Sequence, residues 1–201
     1  MPDLMALQHL CGLLDRAEID RAEFLAQFTR RMAEDIGCSR AGVRILLAGE
    51  QGLLLRCVAM YDAVHGGVVR PPDLQADDPS PFIDALARDG SVVAPDCSRH
   101  PATRPFLGGY LLPQDVRSLL DASFSVNGVL YGSFSCEQVG GMQDWTPQQR
   151  QLLRRMAARV SLALVNAITA ELDTGPGALW RPSSPNRLVT MPLPLADDGQ
   201  D

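Results

Sequence analysis

The feature that most constrains this chain is the dipeptide Asn127-Gly128, set between two strand-like runs at residues 118–126 and 129–137. A two-residue hairpin turn that matches the twist of its strands needs positive φ at both central residues, and Asn-Gly meets that demand at little steric cost. The spacing predicts two long antiparallel neighbours. Counting outward from the turn pairs Phe124 with Tyr131, Ala122 with Ser133, Leu120 with Ser135 and Ser118 with Glu137. One face of the hairpin then mixes apolar groups with hydroxyls and a carboxylate, whereas a face serving only a core should be Val, Ile and Leu throughout. Two readings fit that mixture: a ligand cavity with a few polar groups, and a sheet face partly open to water. The opposite face carries Leu119, Asp121, Ser123, Leu130, Gly132, Phe134 and Cys136. It is expected under the helical layer, with Gly132 giving a helix room to approach.

Helices are expected at both ends. Leu4, Leu7, Cys11 and Leu14 recur at three- and four-residue steps, the spacing of one helix face. Asp20 and Glu23 form a capping-box pattern ahead of the stripe Phe24, Leu25, Phe28, Met32 and Ile36, which stops at Gly37. Strands follow at 42–47 and 53–60 around a turn at Gly49-Glu50-Gln51-Gly52, then a loop over 62–80 rich in Gly, Pro and Asp. Ser80 and Pro81 open a short helix that ends before Gly90, and 91–94 reads as a further strand. After the hairpin, Thr146 with Pro147 and Gln149 caps a long helix. Its stripe is Leu153, Met156, Val160, Ala163, Ala167 and Ala170, widened by Leu152 and Leu164. Residues 173–201 hold five prolines and three glycines, a composition expected to form no packed core of its own. The layout is one α+β domain over residues 1–172 and a tail over 173–201.

Composition narrows the chemistry. The 201 residues carry a net charge of −6, and all eighteen Lys+Arg positions are arginine. Without a lysine there is no Walker-type phosphate site and no Schiff-base chemistry; the acidic balance argues against nucleic acid or an anionic membrane as partner. The first residues show no basic segment leading into an apolar run, and no stretch approaches the ~20 apolar residues of a membrane span. A cytoplasmic location is expected. The five cysteines form no CxxC pair and the three histidines lie far apart, so no metal site is expected and the thiols read as small buried residues.

The stretch from Val92 to Ala167 resembles the GAF sensory domain of the type found with bacterial histidine kinases and diguanylate cyclases. The residues that carry the resemblance are Asp96, His100-Pro101-Ala102-Thr103-Arg104, Tyr110-Leu111 and Ser118-Leu119-Leu120-Asp121-Ala122. Gly128-Val129-Leu130-Tyr131-Gly132, Glu137-Gln138-Val139-Gly140 and Trp145-Thr146-Pro147 follow in order. Departures from the family pattern are Ser123 in place of a proline, Cys136 and Gln138 in place of histidines, and Gln143 and Asp144 in place of basic residues.

The resemblance implies a GAF-like antiparallel sheet of five to six strands, with the terminal helices on one face and a ligand pocket on the other. It implies a sensory or regulatory module that binds a small molecule and works through a partner chain such as a histidine kinase or a diguanylate cyclase. A structural, dimerising domain with a vestigial pocket is the alternative. The expected ligand-binding set is Tyr110, Ser118, Leu120, Tyr131, Ser133, Ser135 and Glu137. The ligand is unknown, and the sequence assigns no cofactor.

Three specialised relatives fit poorly. The cyclic-nucleotide motif includes a lysine that this chain lacks. Bilin attachment needs a cysteine in the connecting segment, and residues 101–116 have none. The free methionine-R-sulfoxide reductase needs a loop cluster of cysteines where only Cys97 stands. No enzymatic activity is therefore expected. Asp96 reads as a turn residue, His100 as a turn histidine, Trp145 as a packing anchor and Arg44 as a surface residue. Asp121 is a candidate for a ligand amine or hydroxyl, although such aspartates more often cap turns or bond backbone amides. The two terminal stripes predict a homodimer, against the competing reading that the two helices of one chain cover each other.

Overall fold

Asn127 and Gly128 both adopt positive φ, 51° and 78°, and the turn joins two long antiparallel neighbours of the sheet. The computed structural model describes the backbone of residues 4–49 and 52–172 and the side chains of 5–49 and 52–166. The expected tail, Glu50 and Gln51 of the first turn, and the side chains of Leu4, Ala167 and Ala170 lie outside that description. The elements are α1 (Leu4–Asp15), α2 (Arg21–Ile36), β1 (Arg40–Gly49), β2 (Gly52–Asp62), β3 (Gly67–Val69), β4 (Leu74–Gln75), α3 (Ser80–Asp89), β5 (Ser91–Ala94), β6 (Val116–Val126), β7 (Val129–Val139) and α4 (Pro147–Leu172). The sheet runs β3-β2-β1-β7-β6-β5, with β4 also on β2, and every pairing is antiparallel. It has seven strands rather than five or six, because the loop over 62–80 contributes two very short ones, β3 and β4.

The helix boundaries follow local chemistry. Asp20 Oδ1 accepts the Glu23 amide at 2.8 Å, and Gly37 closes α2 at φ 72° with its amide on Ala33 O. Thr146 and Gln149 form the reciprocal capping box of α4: the Gln149 amide donates to Thr146 Oγ1 at 3.3 Å, and the Thr146 amide donates to Gln149 Oε1 at 2.9 Å. α3 differs by one position. Ser80 is already helical, Pro79 holds the cap position, and Asp78 Oδ1 takes the Ser80 amide at 3.0 Å.

Two cores lie on opposite faces of the sheet. On one, α1, α2 and α4 bury Leu7, Phe24, Phe28, Met32, Met156, Val160 and Leu164 against Val43, Ala122, Phe124 and Phe134. Phe28 stands edge-on to Phe134 at 5.6 Å, a pair worth about 0.5–1.5 kcal/mol beyond its burial. The α4 stripe is thus largely covered within the chain, by the sheet and by α1. On the other face, α3 and the irregular connection between β5 and β6 bury Phe82, Leu86, Phe106, Tyr110 and Leu111 against Leu46, Leu55 and Leu119.

The hairpin register corrects the sequence reading. Val126 faces Val129 and Ser125 faces Leu130, but Tyr131 then bulges and Phe124 faces Gly132. Beyond the bulge Ala122 faces Phe134, Asp121 faces Ser135, Leu120 faces Cys136, Leu119 faces Glu137 and Ser118 faces Gln138. One extra residue shifts every later pair by one and so exchanges the face that β6 shares with β7. The role expected of Gly132 changes too. No helix approaches it; a β-carbon there would sit 1.9 Å from the carbonyl oxygen of Arg44, and its φ is 156°. The β1 backbone, not a helix, occupies the space.

Gly132→Ala is therefore expected to destabilise by about 2–3 kcal/mol, through overpacking against backbone and an unfavourable φ. Gly128→Ala, where nothing lies within 4 Å of the added carbon, should lose only the ~1 kcal/mol of its left-handed backbone. Urea midpoints of the two variants check the difference, and equal losses would contradict it.

Candidate functional site

The bulged register puts Asp121 of β6 on the face covered by the connection, together with Ser133, Ser135 and Glu137 of β7 and Arg44 of β1. Arg44 stands opposite Ser133 across β1 and β7, and Asp121 opposite Ser135 across β6 and β7. All five are 0% exposed. Above them the connection forms a three-residue 3-10 turn at Arg104–Phe106 and a single π-helical turn at Leu107–Leu111, which carries Tyr110. Pro105 and the pair Gly108-Gly109 sit in these tight turns. The segment is pinned at several points. Thr103 Oγ1 donates to Cys97 O at 2.8 Å, Ser118 Oγ donates to Pro95 O at 2.6 Å, and Phe106 meets Phe82 of α3 edge-on at 5.4 Å.

At the centre, Arg44 Nη2 donates to Tyr110 Oη at 2.5 Å and to Glu137 Oε1 at 2.9 Å, and Tyr110 Oη donates to the same oxygen at 2.8 Å. The guanidinium carbon lies 4.7 Å from the centroid of the Tyr110 ring, a cation–π contact. Arg44 Nη1 reaches Pro72 O at 3.5 Å. Burial opposes the charge on Arg44, yet Tyr110 and Glu137 beside it hold its pKa above the ordinary value. Burial, and then the Glu137 carboxylate, push the Tyr110 phenol up. Ser135 Oγ donates to Asp121 Oδ1 at 2.7 Å. Burial raises the Asp121 carboxyl to about 7, against the opposing pull of the Ser133 and Ser135 hydroxyls and of Arg44. Four atoms of this cluster, Arg44 Nε, Glu137 Oε2, Asp121 Oδ2 and Ser133 Oγ, have no hydrogen-bond partner among the described residues.

Of the expected site residues, Tyr110, Ser133, Ser135 and Glu137 come together here. Leu120 lies instead in the helix-side core. Tyr131, the bulged residue, packs on that same side with its ring 5.7 Å from Phe124. Ser118 is buried elsewhere, holding Pro95 O and taking the Gln143 amide at 2.7 Å. Arg44, expected at the surface, is the core of the cluster. Its signal was the lone cation in an otherwise apolar run, 42–47, which is what a buried, paired charge looks like in sequence. Asp121 carried the same signal in β6. Asp96 does form the expected turn, taking the Ser98 amide at 2.9 Å and its hydroxyl at 2.6 Å. His100 turns its Nδ1 to the Ala102 amide at 3.3 Å, and Trp145 is buried beneath α4.

A cleft of about 540 Å³ adjoins the cluster, lined by Pro72, Asp73, Gln75, Ala76, Asp77 and Gly109. Pro72 receives Arg44, and Gly109 precedes Tyr110. A second cleft of about 590 Å³, between α3, the hairpin and α4, lies apart from these residues. Among the described residues no group of three or more His, Cys, Asp or Glu could hold a metal ion, and no helix is long and apolar enough to cross a membrane.

The sequence profile of the GAF domain matches residues 20–164. The chain belongs to the GAF domain family. No curated protein sequence matches it. Among solved structures, the blue-light-absorbing form of the Thermosynechococcus elongatus PixJ GAF domain is similar at a TM-score of 0.53 and 18% identity, over 84% of this chain and 90% of that one. The GAF domain of an Acinetobacter phosphoenolpyruvate-protein phosphotransferase gives a TM-score of 0.58 at 16% identity, over 83% and 94%. The chromophore-binding domain of Stigmatella aurantiaca bacteriophytochrome gives 0.57 at 14%, over 81% and 59%. At these identities the likeness is one of fold. In this GAF domain the space between sheet and connection is filled by the chain's own Arg44, Tyr110 and Glu137.

Glu137→Gln leaves the buried Arg44 charge without its hydrogen-bonded counter-charge and is expected to cost about 3–5 kcal/mol, read as a fall in urea midpoint. The double variant Arg44→Met, Glu137→Leu should lose less, because no buried charge remains. A separate outcome concerns pH. The folded-state pKa of Asp121, about 7, lies above its unfolded value, so the native state binds more protons between roughly pH 4 and 7 and stability falls as pH rises through that window. Asp121→Asn should remove this part of the decline; an unchanged pH profile would contradict it.

Proposed function

We propose that this GAF domain is a small-molecule-binding sensory or regulatory module that acts without catalysing a reaction. The observation that carries the reading is the set of polar atoms buried between the sheet and the connection. Among the described residues Arg44 Nε and Glu137 Oε2 have no partner, and Asp121 Oδ2 and Ser133 Oγ have only each other, outside good hydrogen-bond geometry. Each such atom costs about 1–3 kcal/mol while unpaired, so a ligand that pairs them gains that energy on binding. The cleft at Pro72 and Gly109 adjoins the cluster, since Pro72 O receives Arg44 Nη1 and Gly109 precedes Tyr110. The structural neighbours include a cyanobacteriochrome GAF domain, a bacteriophytochrome chromophore-binding domain and a far-red photoreceptor, which supports sensing as the type of role. Covalent bilin is not part of the reading, because the connection from 101 to 116 has no cysteine. Burial pushes the Cys97 thiol up to about 12 and the Cys57 thiol up to about 11, opposite to the low pKa that sulfoxide reduction requires.

Output would leave through α4, which packs directly on β6, the strand that bears Asp121. A histidine kinase or diguanylate cyclase chain is the class of partner that fits, with this domain as a homodimer in the cytoplasm. Since α1 and the sheet cover Val160 and Leu164, the dimer would use the outer side of α4, where Leu162 is 61% exposed. The structural, dimerising alternative draws on one specific observation, that Tyr110 and Arg44 already fill the pocket.

Thermal-shift screening of a metabolite collection separates the two readings, because a ligand that binds only the native state raises the melting temperature with the logarithm of its excess over Kd. At least one compound should do so in the wild type; a collection without effect overturns the sensory reading. Light scattering at micromolar concentration should give twice 21.8 kDa, returning to the monomer in Leu162→Glu with its fold intact. A 21.8 kDa species throughout would reject the dimer.

A further inference from the structure

We propose that the ligand is a small organic amine, bound as its ammonium ion between Asp121 and Glu137 on the sheet face beneath Tyr110. This rests on the small-molecule reading above and names its chemical class.

The argument starts from what the unpartnered atoms need. Asp121 Oδ2 and Glu137 Oε2 are acceptors, Ser133 Oγ accepts or donates, and Arg44 Nε alone is a fixed donor. A ligand must therefore bring more donors than acceptors. An ammonium group brings three N–H donors and no acceptor. Asp121 and Glu137 lie on one face of adjacent strands, Asp121 opposite Ser135 and Glu137 two residues further along β7. At such diagonal positions backbones stand about 7–8 Å apart, within reach of a group placed between the two side chains.

Charge points the same way. Arg44 is the single cation of the cluster, and its Nη2 is already committed to Tyr110 and Glu137. With Asp121 ionised the cluster holds two carboxylates against one guanidinium; an ammonium ion balances it. An anion would gain Arg44 Nε and the Ser133 hydroxyl but would face both carboxylates. The adjoining cleft repeats the sign, since its charged lining residues are Asp73 and Asp77. Arg56 lies 3.4 Å from Asp73, but no salt bridge of comparable length is found at Asp77 among the described residues.

The protonation of Asp121 supplies a signature. The groups that face it are Ser133 and Ser135 on β7, Arg44 from β1 and Glu137 from β7. Cys97 of the connection and Cys136 of β7 are close enough to feel its charge. With its carboxyl at about 7, Asp121 holds a proton at low pH that an ammonium ion must displace. Binding should release up to one proton, and affinity should rise as pH increases through 7 and then level off.

The test is isothermal titration calorimetry on the full chain with three amines, putrescine, agmatine and tyramine, and three anions, benzoate, citrate and 2-oxoglutarate. At least one amine should bind about tenfold more tightly at pH 8 than at pH 6. Its proton release at pH 6 should appear as a dependence of the heat on buffer ionisation enthalpy, a readout that needs no variant. Asp121→Asn should abolish binding, and Arg154→Ala, at the second cleft, should leave it unchanged. Binding of an anion with all amines silent overturns the amine class and leaves the small-molecule reading standing. Silence from all six probes also overturns the amine class, and the metabolite screen then decides the wider reading by itself. Amine binding that is independent of pH, or lost in Arg154→Ala, places the amine elsewhere and overturns the site.

Discussion

A buried guanidinium between β1 and β7 is the constraint on which this domain turns. Removing Arg44 from water is costly unless its donors are met and its charge is opposed. Glu137 supplies the charge, Tyr110 supplies both an acceptor and a ring face, and Pro72 supplies a carbonyl. Those four residues come from β1, β7, the π-helical turn and the loop before β4. One side chain thus ties the sheet to two segments that lie outside it. The rest of the connection, the lid over the polar cluster, is held by apolar packing, Phe106 on Phe82 and Leu111 within the same core, and by the Thr103 and Ser118 hydroxyls.

That arrangement requires the local break in the hairpin ladder. With Tyr131 bulged, β7 keeps Ser133, Ser135 and Glu137 on the lid side while β6 contributes Leu119 and Asp121 to it rather than Ser118 and Leu120. Gly132 permits the break because β1 presses its Arg44 carbonyl where a side chain would be. The residue that directs the polar cluster and the residue that lets β1 approach are therefore one step apart in sequence. The same register sets Leu120, Ala122 and Phe124 against the helices. A single strand, β6, carries the acidic group of the cluster on one face and packs against α4 on the other.

Much of this was legible beforehand. The capping boxes at Asp20 and Thr146, the Asn127-Gly128 turn, and the helical stripes are local signals whose physics acts within a few residues, and each placed its element. Tyr110, Ser133, Ser135 and Glu137 were also readable as one polar set. Leu120, Tyr131 and Ser118 were grouped with them because counting from a turn assumes an unbroken ladder. Arg44 was set at the surface because one cation in a strand has no visible partner; Glu137 is 93 residues away.

The sequence by itself determined the helices, the five longer strands, their order and the α+β layering, since these follow from periodicity, caps and turn residues that act over short distances. Only the tertiary structure decided which side chains meet. Register depends on the bulge at Tyr131, and the bulge depends on the β1 backbone lying against Gly132. The pairing of Arg44 with Glu137 depends in turn on burial that neither residue could produce alone. Long-range contact is where a charge ceases to be a surface group, because the cost of losing water is met only when the distant partner arrives.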